Sequence, residues 1–135
     1  MIKRKVAIII FYDNNNFMIQ DRRKISKWGE DYGFFGGAIE NNENSEEAIK
    51  REIKEELNFE IKDFKLFKKD VKFIKEINGK VERNLFVSEI PDLNSIKEIE
   101  GKIKFISRNK IPDLKMVGGD LELLKEIKDY LNKIK

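Results

Sequence analysis

Three features of the chain predict an α+β fold, with strands and helices in mixed α/β order. An apolar, β-branched run at residues 6–12 opens the chain and reads as a buried strand. Residues 64–90 and 101–107 are rich in β-branched and aromatic side chains, broken by a turn signal. Two stretches, from Asn44 and from Leu121, instead carry apolar residues at helical spacing. Strands, helix, strands, helix is the order expected of one mixed layer arrangement. With 135 residues, 40% of them apolar, a single domain over residues 1–135 has enough material for a core.

Residues 13–16 are a polar turn cluster, so residues 17–20 are expected to return antiparallel to the first strand. Residues 21–32 mix charges and aromatics without a period and are expected to be a loop. Gly33, Gly36 and Gly37 flank Phe34 and Phe35, where a tight bend or a close backbone approach is expected. Asn44 is a good N-cap, and Glu47 three residues later completes a capping box. Ile49, Ile53 and Leu57 form the apolar stripe of the helix that follows. Asn58 suits a left-handed C-cap. Residues 64–77 read as one long or two short strands, Asn78-Gly79 as a hairpin turn and residues 81–90 as the partner strand, closed by Pro91. In residues 101–107, Ile103, Phe105 and Ser107 alternate with Lys102, Lys104 and Ile106, as a half-buried strand would. Leu121, Leu124, Ile127, Leu131 and Ile134 predict a C-terminal amphipathic helix.

Composition removes several chemistries. The chain has no His and no Cys, so disulfides, thiolate nucleophiles, Cys/His zinc sites and imidazole bases are excluded. Acid–base and metal work falls to carboxylates, Lys, Tyr or water. The net charge of +3 comes from dispersed Lys, a poor footprint for nucleic acid, so no nucleic-acid partner is expected. No stretch approaches the roughly 20 apolar residues of a membrane span, and no signal peptide is evident. A cytoplasmic protein without a membrane partner is the expectation.

Glu52, Glu55 and Glu56 stand at i, i+3 and i+4 in the first helix, on one helical face. Like charges at this spacing repel, and a hard divalent cation would relieve them. An ordinary solvated helix with ion pairs such as Arg51 to Glu55 is the alternative. The run from Gly37 to Phe59 decides between them. It carries Gly37, Glu43, Arg51-Glu52, Ile53, Glu55-Glu56 and Phe59, and so resembles the Nudix box, G-x5-E-x7-R-E-U-x-E-E-x-G-U with U apolar. Asn58 replaces the final Gly, and Phe35 stands where the family usually has Pro.

The resemblance to the MutT-like Nudix hydrolases implies an α/β/α sandwich with a mixed central sheet. It implies hydrolysis of nucleoside diphosphates linked to another moiety, with Mg²⁺, or Mn²⁺, as cofactor. The expected metal ligands are Glu52, Glu55, Glu56 and the carbonyl of Gly37. Glu52 and Glu55 are the expected catalytic carboxylates, with Arg51 orienting them and Glu43 bracing the loop or Arg51. Glu100, ahead of Glu98, is the candidate for a further carboxylate from outside the box. Arg22 and Arg23 are expected to bind phosphate. One of Trp28, Tyr32, Phe34 and Phe35, with Phe34 preferred, is expected to meet the base, and Leu114, Met116 and Val117 lie where the family completes its base pocket. A nucleoside triphosphate, including an oxidised one, is the leading substrate. ADP-ribose or a nucleotide sugar, an RNA 5′ end, and a non-catalytic nucleotide-sensing or metal-binding module are the alternatives. Oligomeric state, monomer or homodimer, stays open.

Overall fold

The computed structural model describes residues 1–134. The strands are β1 (Ile2–Tyr12), β2 (Asn16–Asp21), β3 (Tyr32–Gly33), β4 (Phe35–Ala38), β5 (Phe64–Ile74), β6 (Gly79–Glu89) and β7 (Lys102–Ser107). The helices are α1 (Ser45–Leu57) and α2 (Asp120–Lys133). Along the sheet the order is β3-β2-β1-β6-β5, with β4 added to β1 and β7 to β2. Every pairing is antiparallel except β1 with β6, which is parallel. The sheet is therefore mixed.

Alternation along β1 splits the core into two layers. Ala7, Ile9 and Phe11 join Met18, Phe35 and Phe86 beneath Ala48, Ile49, Ile53 and Leu57 of α1. Ile10 joins Phe17, Ile19, Leu85 and Val87 beneath Leu123, Leu124, Ile127 and Leu131 of α2. Two helices on opposite faces of one sheet make the expected α/β/α sandwich. Phe34 and Phe35 divide between the layers, and Phe35 meets Phe11 edge-on at 5.9 Å. Phe35 thus works as a core anchor where the family usually has Pro.

The local signals of α1 hold. Asn44 accepts from the Glu47 N–H at 2.8 Å, and Glu47 returns the bond to the Asn44 N–H at 2.9 Å. Asn58 sits at φ 50°, and its N–H reaches the Lys54 carbonyl. Several expectations shift by small amounts. β1 begins earlier than residue 6, and part of the supposed loop pairs as β3 with Gln20 and Asp21. The β5–β6 connection is not a two-residue turn. A 3₁₀ turn, Lys75–Ile77, precedes Asn78, the residue in left-handed conformation. In β7, Ile106 is the buried residue and Phe105 is 42% exposed, because β7 is an edge strand beyond β2. At the end of α2, Ile134 is exposed, while Leu123 supplies buried surface that the predicted stripe omitted.

Candidate functional site

Gly36 and Gly37 on β4 are the seat of the site. Gly36 has φ 128°, and a Cβ there would stand 2.2 Å from the Ala7 carbonyl oxygen. Its N–H donates to Glu56 Oε1 at 2.9 Å. A Cβ on Gly37 would meet the Glu52 carboxylate at 2.7–2.8 Å. The missing side chain at Gly37 thus makes room for a carboxylate. Gly37→Ala is expected to displace Glu52 and cut turnover about tenfold or more, while thermal melting moves by only a few degrees. A placement error of about 1 Å suffices for such losses, and an assay beside a melting curve checks it.

The three glutamates of the helix face occupy different environments. Glu56 is 2% exposed, and burial pushes its carboxyl up to about 9, against the Gly36 N–H and aided by the charges of Glu52 and Glu100. Burial also raises Glu52, with Glu55 and Glu100 adding to it and Arg51 opposing. Glu55 is 54% exposed and bonds Arg51 at 3.1 Å. Among the described residues, no three acidic side chains converge as a closed metal cage. The donor set nonetheless fits a hard divalent ion. All its members are oxygens, and the buried Glu56 carboxyl, beside the half-buried Glu52, has no cation in contact among the described residues.

Arg51 organises the loop against the helix. It donates to Glu43 through Nε at 2.6 Å and Nη2 at 3.0 Å, to Glu52 at 2.9 Å, and to the Ala38 carbonyl at 3.0 Å. Glu43 also accepts from the Glu40 N–H, so it braces both loop and Arg51. The guanidinium holds Glu43 below the usual carboxylate range. Lys cannot reproduce this fork. Arg51→Lys is expected to lower kcat roughly 10- to 100-fold, as loss of groups that orient ligands does, and the metal concentration needed for half-maximal rate should rise with it.

Glu100 arrives by backbone docking. The Lys97 N–H bonds the Leu57 carbonyl, and the Ile99 N–H bonds that of Glu56. These bonds satisfy free carbonyls at the end of α1 and bring the Glu100 charge within reach of Glu52 and Glu56. Gln20 holds the Glu100 carbonyl at 2.8 Å. Glu98 is spent on the Ile103 N–H instead.

A cleft opens from Gly36 and Gly37 across the α2 side of the sheet. Val6, Ile8, Tyr32, Ile74, Val81 and Val117 form its apolar walls. Arg4, Arg22, Glu30, Arg83 and Asp120 add polar groups. Arg22 lines this cleft and bonds Glu30 at 2.9 Å. Burial of Glu30 is outweighed by Arg22, Ser26 and the Trp28 N–H, which hold it down to about 2. Arg23 is turned away to Asp21 at 2.6 Å and does not line the cleft. Phe34 is 5% exposed and belongs to the α2 core layer, so only part of it borders the cleft. Trp28 and Tyr32 are the more open aromatics there. Asp120, at the start of α2, is pushed up to about 7 by burial, against a long 3.5 Å contact with Arg83. Arg83 is otherwise committed to Asp70.

Arg4, Glu30 and Asp120 were not singled out by the sequence. Arg4 could have been found, because it keeps the alternation of β1 two residues before Val6. Glu30 sits in aperiodic chain with no signal.

The family model for the NUDIX domain matches residues 1–125. No curated protein sequence matches the chain. Among solved structures, the MutT NUDIX hydrolase from Burkholderia pseudomallei superposes with TM-score 0.74 at 15% identity, over 92% of this chain and 97% of that one. The MutT protein from Methanosarcina mazei Go1 gives 0.75 at 17%, over 96% and 95%. The NUDIX domain of Shewanella oneidensis NrtR, solved with ADP ribose, gives 0.63 at 14%, over 94% and 86%. At such identities the superpositions speak for the fold, and the family match for descent. With the box on α1, Glu52 and Glu56 at the edge of β4 and a domain match over nearly the whole chain, this protein belongs to the Nudix family of hydrolases, which act on nucleoside diphosphates linked to another moiety.

Proposed function

We propose that the protein hydrolyses a nucleoside triphosphate to the monophosphate and pyrophosphate, with Mg²⁺, or Mn²⁺, as its cation. The observation that carries this reading is a continuity. A cleft with aromatic and aliphatic walls opens directly at Gly36 and Gly37, the two residues against which Glu56 and Glu52 stand. A base and sugar fit the apolar part, while the phosphates reach the carboxylate edge. Glu52 and Glu56, with Glu55 and the Gly37 carbonyl, are the groups that would hold the cation. A divalent ion held by these groups would supply neutralisation of diphosphate charge and activation of water. Water forms the new P–O bond, the bridging P–O bond breaks with its electron pair leaving on pyrophosphate, and the proton passes to a carboxylate. Glu52 and Glu100 are the acceptors we assign. Arg22 is assigned to phosphate.

A second reading follows from the ADP-ribose bound to the Shewanella NUDIX domain: hydrolysis of ADP-ribose to AMP and ribose 5-phosphate. One panel separates them. Nucleoside triphosphates, ADP-ribose and nucleotide sugars are incubated with Mg²⁺, and products are resolved by chromatography. Pyrophosphate from a triphosphate supports the first reading. Turnover of ADP-ribose alone replaces it with the second, and turnover of none overturns both.

A further inference from the structure

Six arginines occur in the chain, and five donate to oxygen acceptors of the protein. Arg22 bonds Glu30, Arg23 Asp21, Arg51 Glu43, Arg83 Asp70 and Arg108 the Asp13 carbonyl. Arg4 is different. Its Nε is buried and, among the described residues, is the one buried side-chain polar atom with no partner. Buried donors are nearly always paired, so an orphan asks for a partner from outside the protein.

Arg4 lines the same cleft as Arg22, Gly36 and Gly37. Its Cζ lies over the Trp28 ring, 5.3 Å from the centroid, a cation–π contact that restrains the head group. Burial and the neighbouring charge of Arg22 lower its pKa, while Glu52 opposes this. Three arginines, Arg4, Arg22 and Arg83, therefore line one recess, and among the described residues only Arg4 of the three has no carboxylate in contact. A planar fork with a free, desolvated N–H beside a second guanidinium suits a phosphate oxygen. A neutral base edge would leave the repulsion between the two arginines standing.

We propose that Arg4, restrained by its contact with Trp28, is a phosphate-binding residue for the nucleotide substrate and supplies the second arm of a two-arginine clamp with Arg22. This rests on the reading of the cleft as a nucleotide site, though not on turnover. Phosphate recognition is thereby drawn from β1, the strand that pairs with β4 beside the carboxylates. The clamp predicts discrimination by phosphate content rather than by base.

Trp28 is the only tryptophan and reports on its own neighbour. The test titrates Trp28 emission with a triphosphate analogue bridged by methylene between its α and β phosphorus atoms, and with the matching nucleoside, in Mg²⁺ buffer. The analogue should change the emission and bind roughly 10- to 100-fold more weakly to Arg4→Gln, as expected for loss of a hydrogen bond to a charged group. Arg4→Lys, which keeps the charge without the fork, should fall between the two and decides the matter should Arg4→Gln fail to fold. The nucleoside should bind both variants as it binds the parent. In turnover assays, KM should rise by more than kcat falls.

Unchanged affinity of the analogue for Arg4→Gln or, in the fallback, for Arg4→Lys overturns the proposal, as does an analogue that leaves Trp28 silent. An equal loss of nucleoside binding would also overturn it, by moving the contact to the base. Hydrolysis of no substrate with Arg4-dependent analogue binding intact would defeat the proposed reaction and leave the clamp standing.

Discussion

Glu56→Gln is expected to abolish most turnover, by about 100-fold or more, and yet to leave the unloaded protein at least as stable above neutral pH. The loss follows from the several kcal/mol that a correctly held cation contributes to charge stabilisation, at about 1.4 kcal/mol per tenfold in rate. The stability follows from linkage. The Glu56 carboxyl sits near 9 in the fold against an ordinary 4.5. Below pH 4.5 both folded and unfolded chains hold the proton. As pH rises from 4.5 to 9, the unfolded chain releases it and the folded chain keeps it, so stability falls across that window. At pH 7 the penalty is on the order of 3 kcal/mol. Gln keeps the shape, still accepts from the Gly36 N–H, and has no proton to lose. Melting curves in chelator from pH 5 to 9 should slope downward for the parent and more gently for the variant. Asp120, raised to about 7, adds a slope of the same sign in both, confined to pH below about 7. Addition of Mg²⁺ should raise the melting temperature of the parent more than that of Glu56→Gln. Equal slopes in chelator would contradict the account of Glu56.

Gly36→Ala is expected to damage the fold itself. A Cβ would stand 2.2 Å from a backbone oxygen of β1 and 2.8 Å from the Ile8 Cα, and neither is a flexible side-chain tip. The residue also holds φ 128°, where a side chain is strained. Left-handed strain and overpacking each cost roughly 1–3 kcal/mol, so a loss of about 3 kcal/mol or more is anticipated. For a domain of this size that lowers the melting temperature by about 10 °C. The contrast with Gly37→Ala is the informative part. The neighbouring glycine faces a mobile carboxylate, so its substitution should injure activity before stability. A Gly36→Ala protein that melts with the parent would refute the packing argument.

Local chemistry in the sequence carried the carboxylate helix almost completely. The Asn44 and Glu47 capping box, the Ile49, Ile53 and Leu57 stripe and the left-handed Asn58 are written within a few residues of one another. Short-range patterns of that kind survive tertiary packing. Pairings between distant segments were not legible. Nothing near residues 2–12 announces a parallel partner at 79–89, since hydrophobic alternation fixes which face is buried and not which strand lies alongside. The same limit hid the cleft. Arg22 and Arg23 look alike in sequence, yet Glu30 recruits the first and Asp21 the second. Phe34 is expected from sequence to meet the base, whereas its place on the α2 side of the sheet puts most of it in the core and leaves only part at the cleft. Glu98 and Glu100 were separable only once the docking of residues 97–100 onto the end of α1 was visible.

The parallel join of β1 to β6 also has a kinetic meaning. The hairpins β1–β2 and β5–β6 close short loops, whereas the β1–β6 seam must bridge a long stretch of chain. Loop-closure entropy makes such contacts late. The recess draws Arg4 and Val6 from one side of that seam and Val81 and Arg83 from the other. No half-assembled chain can therefore own the nucleotide site. During synthesis it is complete only after residue 120 has left the ribosome, and a bound nucleotide then acts on the escape rate from the native state rather than on the rate of reaching it.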